Sequence, residues 1–291
     1  MRGSIFQNTK SHRIAKAGGF ALLLLVLFLL PMATLRAQLV GDMDESKLYA
    51  QSKQVNQFFR RFNGEEDEKG NRYYPRDRQY QSVKLRKKYL GTLFDESNGG
   101  MDTKLKTEFA KQALDKPAIL DFHGGNWFSE VHTTFSFNGK DQTVILFLEL
   151  EKDHLGYKWV IGKVHADVFA PVFVRDTTRV GRFLHPMSHE LDFMNLRKAF
   201  ANTDSITQFT PKHYVPDQLS VFLYEVKRGN LKFKTVNEVK FHFFQFEGWY
   251  FELSQFNRPG YNTGWLISNL VQLNTPQEKD LLRKYLYYET K

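Results

Sequence analysis

Cysteine is absent from the 291 residues. A disulfide framework, a thiolate zinc site and a cysteine nucleophile are therefore excluded, and the fold stands on packing alone. Proline is sparse, at 9 residues, while 42% of the chain is apolar, 15% aromatic and 25% charged. That balance fills a globular core and rules out a disordered or low-complexity chain. No phosphate-binding Gly-rich loop, dinucleotide fingerprint or Gly-x-Ser-x-Gly elbow occurs, so the standard cofactor enzymes have no support and no cofactor is expected.

Acidic residues are missing from positions 1–37. Arg2, Lys10, Arg13 and Lys16 precede an uncharged apolar run over 17–30, Pro31 ends it, and Ala33, Thr34 and Ala37 supply small residues. This is the layout of a secretory signal peptide. Residues 1–37 read as a leader cleaved after Ala37, leaving Gln38 first in a periplasmic or secreted protein. The rival reading is a retained anchor, because residues 17–35 carry no charge and approach the ~20 positions that span a bilayer. Without Arg2, Lys10, Arg13, Lys16 and Arg36 the formal charge falls from +9 to +4. The remaining basic clusters, Arg60-Arg61 and Lys84, Arg86, Lys87, Lys88, are interleaved with Glu65, Glu66, Asp67, Glu68, Asp95 and Glu96 and read as solvated helix faces. No nucleic-acid partner is expected, since a phosphate-reading face needs charge of one sign.

Apolar residues at 48, 55, 59 and 62 share one 3.6-period face and predict a helix over 46–62. Tyr80, Val83, Leu90 and Phe94 predict a second, with Asn98-Gly99-Gly100 as its stop. A third runs over 102–114. The period then changes to two. Val131, Thr133, Phe135 and Phe137 alternate with polar residues, and Asn138-Gly139 predicts a two-residue hairpin that pairs Phe137 with Lys140, Thr133 with Val144 and Val131 with Leu146. Residues 157–164 form a further strand. Beyond a linker at 171–187, Ser188 caps a helix to about Ala201. Strands are expected at 219–226 and 231–236 across Gly229-Asn230, and at 239–246 and 249–253, with Phe246 opposite Trp249, Phe244 opposite Phe251 and a bulge at Phe243-Phe244. The strand at 264–273 is the last, and Thr275-Pro276-Gln277-Glu278 is a capping box opening a terminal helix.

The two halves echo one another: strand, turn, strand with Leu148-Glu149-Leu150, then Gly156-Tyr157-Lys158-Trp159-Val160-Ile161, against strand, turn, strand with Phe251-Glu252-Leu253, then Gly264-Trp265-Leu266-Ile267. The expected fold is α+β in two cone-like modules, 38–170 and 188–291, each a curved antiparallel sheet packed against helices. Three helices followed by long antiparallel strands and a Trp-Val-Ile strand resemble the nuclear-transport-factor-2-like superfamily. The resemblance implies a cone with a concave pocket, used by some members for isomerase or dehydratase chemistry and by others for binding. It carries no catalytic residue onto this chain.

Three groups of residues are candidates for chemistry. His185, His189, Glu190 and Asp192 have ligand types near one another, but Phe193 stands where a zincin motif needs its second histidine, and a helix entry explains them equally well. Asp121, His123, His165 and Asp167 bracket the first strand set and suit acid–base work if they meet. Trp249, Tyr250 and Phe251 suit a stacking surface for a ligand if their rings are exposed, and otherwise a core. The expected function is an exported binding or scaffold protein without catalysis, its partner a protein or small molecule. The alternatives are a pocket enzyme, hydrolase or isomerase, using the His/Asp groups, and a membrane-anchored subunit of an envelope assembly if the leader is retained.

Overall fold

The computed structural model describes residues 54–289 except 98, 100, 116–117, 155, 174–199, 201–202, 212, 215–216 and 261. The leader, the start of the first helix, most of the linker and the helix expected from Ser188 lie outside the described residues. So do His185, His189, Glu190 and Asp192.

Helices α1 (Val55–Asn63), α2 (Val83–Leu90) and α3 (Thr103–Asp115) precede strands β1 (Trp127–Phe137), β2 (Lys140–Asp153) and β3 (Gly156–His165). A 3-10 turn (Asp167–Phe169), the short α4 (Ala170–Phe173) and a second 3-10 segment (Thr203–Phe209) lead to α5 (Gln218–Lys227). Strands β4 (Leu231–Phe243), β5 (Trp249–Phe256) and β6 (Gly264–Gln272) and the terminal α6 (Pro276–Leu286) complete the chain. The fold is α+β. Its strands form one antiparallel sheet in the order β3-β2-β1-β4-β5-β6, where two separate sheets were expected. The reason lies in β1, whose second edge is left unpaired by the first hairpin. β4 runs along its whole length, from Trp127 opposite Phe243 to Phe137 opposite Leu231, and satisfies that edge.

One face of the sheet carries the main core. Phe58, Phe59 and Phe62 of α1, Tyr89 and Leu90 of α2 and Phe109 of α3 pack on Trp127, Phe243, Phe251 and Ile267. A second cluster on that face joins Phe135, Val144 and Val164 to Phe222 of α5. The opposite face holds Phe128, Ile145, Phe147, Phe244 and Tyr250 beneath Leu282, Leu286 and Tyr287 at the terminal helix. At the end of α1, Gly64 takes φ +72°, and a Cβ there would stand 2.7 Å from the Arg86 side chain; glycine is required on both counts.

The first hairpin has the expected register throughout, with Asn138 at φ 51° and Gly139 at φ 80°, both left-handed as a type I′ turn demands. The second half departs from expectation. Residues 219–226 are helix α5, because the Asp217 carboxylate accepts the N–H groups of Leu219 and Ser220 and so caps a helix. Gly229, at φ +75°, donates to Val226 O while Asn230 donates to Glu225 O; the pair ends that helix instead of turning a hairpin. We expect Asp217→Ala to cost about 1 kcal/mol, read as a lowered melting temperature in thermal denaturation.

The strands expected at 231–236 and 239–246 are one strand. Its irregularities against β1 fall between His132 and Thr133 and between Thr134 and Phe135, where Asn237 and Lys234 are the extra residues, not at Phe243-Phe244. Phe243 pairs with Phe251, one residue from the expected register, because Phe244 N–H turns away to Asn126 O at 2.8 Å. Helix α2 stops at Leu90 with Gly91 as its cap, ahead of the expected Asn98-Gly99-Gly100 stop. Nor are the basic clusters wholly solvated. Arg86 is 2% exposed, and its guanidinium donates to the carbonyls of Phe62, Ala113 and Ala118, while Glu66 is buried against Arg60 at 2.7 Å and Gln57 at 2.8 Å.

Candidate functional site

The acid–base quartet does not assemble. The Asp121 carboxylate accepts the backbone N–H of His123 at 2.9 Å, a local turn bond, and the His123 ring stacks on Tyr157 at 4.3 Å. His165 lies 3.5 Å from Asp167, which is 99% exposed at its side chain, and stacks on Tyr288 at 4.4 Å. Tyr157 and His165 stand near opposite ends of β3, eight residue steps and so about 26 Å apart. Asp121 and His123 instead line an open groove of about 530 Å³ with Arg60, Arg72 and Tyr80.

The stacking candidates are core residues. Trp249, Tyr250 and Phe251 are buried, so the exposure that a stacking surface requires is missing. Among the described residues no group of three or more His, Asp or Glu side chains converges to hold a metal ion, and no helix is long and apolar enough to cross a membrane.

A polar network that sequence reasoning missed lies on the sheet face under α6. Glu130 of β1 bridges two imidazoles: His132 Nε2 at 2.6 Å and His242 Nε2 at 2.7 Å. His242 Nδ1 meets the Tyr250 hydroxyl at 2.9 Å, and the Tyr288 hydroxyl bonds to Glu130. An ionised carboxylate only accepts, so both Nε2 atoms carry the proton. Burial alone would raise the Glu130 carboxyl, but the hydrogen bonds and charges of His242 and His132 outweigh it and hold it below its usual range. Burial, with Glu252 and Glu130 nearby, keeps the Tyr250 phenol protonated far above its ordinary value. His132 alone of the trio reaches partly to solvent. The signal was present as the spacing Phe128, Glu130, His132 on one strand face, but finding His242 opposite needs the β1–β4 register, which no local rule supplies.

The two outer edges of the sheet differ. The edge of β6 is covered, since Ile267 N–H donates to Leu93 O at 2.8 Å and Asp95 N–H to Ile267 O at 3.0 Å. The edge of β3 is bare: among the described residues no hydrogen bond reaches its outer side between Tyr157 and Ile161. This stretch pairs regularly with β2, from Lys152 opposite Tyr157 to Leu148 opposite Ile161. Tyr157 is 43% and Trp159 41% exposed, yet both rings are held from behind, Tyr157 by His123 and Trp159 by Trp127 at 5.4 Å. Lys158 is paired to Glu151 at 3.6 Å and Asp153 at 3.2 Å. Unpaired amides beside two pre-positioned aromatic rings form a template for an added strand.

Comparison of the chain with protein-family models, curated proteins and solved structures gives no significant match.

Proposed function

We propose that this chain is an exported binding or scaffold protein that meets a partner protein along the outer edge of β3. The observation that carries the reading is the contrast between the covered edge of β6 and the bare stretch 157–161. Soluble sheets blunt such edges with charge, bulges or covering segments. Here the one lysine in the stretch is already paired, and the residues beside it are aromatic or β-branched. An added strand gains main-chain hydrogen bonds, while Tyr157 and Trp159 supply anchors that lose little side-chain freedom. The basic, apolar and small-residue order of positions 1–37 supports export, and three N-terminal helices packed on an antiparallel sheet support the likeness to the nuclear-transport-factor-2-like superfamily as a single module.

A photo-crosslinking amino acid in place of Tyr157, in producing cells, tests the surface. The expected result is a discrete adduct from position 157 and none from Tyr285, which is more exposed but lies on α6. Absence of any adduct at 157 overturns the reading. Mass measurement of the mature N-terminus tests export, with Gln38 expected first and an intact leader contradicting it.

A further inference from the structure

Resting on the docking reading above, we infer that the strand fitting the β3 edge is β3 of a second copy of this chain, antiparallel about a two-fold axis through Trp159. Two identical antiparallel strands related by an axis perpendicular to the sheet pair residues of the same face, so the axis must pass through a residue and never between two. That leaves few registers over the regular stretch. An axis through Lys158 sets the two lysines directly opposite one another, a like-charge pair that destabilises a ladder. An axis through Val160 sets Lys158 against Gly162, the extra residue of the irregularity between Phe147 and Leu148 on the neighbouring strand.

The axis through Trp159 meets neither obstacle. It sets Trp159 against Trp159, Tyr157 against Ile161 twice and Lys158 against Val160 twice, all inside the regular stretch. Tyr157, Trp159 and Ile161 share the face of the main core, so the aromatic and β-branched pairs that favour strand association fall together. The charge of each Lys158 is offset by Glu151 and Asp153 of its own chain. Six strands become twelve, and the bare edges close on each other. Five rungs and one tryptophan pair make a small interface, so the dimer is of the weak class and fills only in concentrated protein.

The absence of cysteine permits a register-specific test. Single variants Tyr157→Cys and Ile161→Cys are prepared, oxidised alone, and oxidised as a mixture, all in concentrated solution. Residues directly opposite sit about 4.5–5.5 Å apart at Cβ, near disulfide reach, whereas the two copies of residue 157 stand about 13 Å apart. The expected result is a disulfide-linked dimer in the mixture, at least tenfold above either variant alone. Trp159→Lys, which sets like charges on the axis, is expected to abolish the link and to return the scattering mass of the otherwise wild-type chain from two copies to one, with a lowered melting temperature from the lost contacts with Trp127 and Phe241. A single-chain mass at every concentration, or equal linking in the separate variants, overturns the inference. If the crosslinker at position 157 then captures a different protein, the docking reading stands without the second copy; if it captures nothing, both fall.

Discussion

Glu130→Ala is expected to cost about 3–5 kcal/mol of folding stability, because it removes the shared partner of two imidazoles from a buried site. His242 has no exposed surface. Its Nε2–H, which meets Glu130 at 2.7 Å in the wild type, is left without an acceptor and cannot turn to water, and the penalty is desolvation of an unpaired donor on top of the lost bond. Glu130→Gln keeps one acceptor oxygen and is expected to fall between. The effect depends on pH with a defined sign. The folded carboxyl titrates below its unfolded value near 4.5, so its contribution is present above that value and disappears as pH falls through the lower, folded one. Urea denaturation at pH 7 and at a series of values below 4.5 reads both: the wild type loses stability on acidification more steeply than Glu130→Ala. Equal slopes would remove the network from the account of stability.

Phe109→Ala is expected to cost about 3–5 kcal/mol by leaving a cavity that its neighbours cannot close. The ring is fully buried and stands at the centre of five others: Phe62 at 6.2 Å, Phe94 at 5.9 Å, Phe246 at 5.3 Å, Trp249 at 5.2 Å and Phe251 at 5.7 Å. These rings come from α1, the segment after α2, the turn before β5 and β5 itself, so no single rearrangement fills the space. Glu130 lies on the opposite face of the sheet. The double variant is therefore expected to be additive within about 0.5 kcal/mol, measured by denaturant unfolding; strong coupling would mean that the two faces do not act as separate cores.

Local chemistry made some elements readable and left others hidden. The Asn138-Gly139 hairpin is legible because two residues with left-handed backbone between alternating strands admit one register. Thr275 is legible too: its hydroxyl accepts Glu278 N–H at 3.2 Å, although the Glu278 carboxylate reaches Asn274 N–H and not the capping residue's own. Residues 219–226 misled because Val, Phe, Leu and Tyr suit a half-buried strand as well as a helix, and the deciding signal was one residue outside the run, Asp217. Gly229-Asn230 misled for the same reason, since a left-handed glycine ends a helix as readily as it turns a hairpin. The single sheet was out of reach of local rules, because β1 and β4 are about a hundred residues apart in sequence. Whatever depends on that pairing was hidden with it, above all the Glu130–His242 contact, whereas the core reading of Trp249, Tyr250 and Phe251 followed from the preference of packed sheets for aromatic residues.

Amide hydrogen exchange, resolved residue by residue, tests the open edge of β3 most directly. In dilute protein the alternate amides of residues 157–161 that point away from β2 are expected to exchange almost as freely as unfolded ones, while Ile267 on the opposite edge remains protected. Raising the concentration until the weak interface fills is expected to slow the first set and leave the second unchanged. Strong protection of residues 157–161 in dilute protein would mean that the edge is already occupied, and would contradict the account.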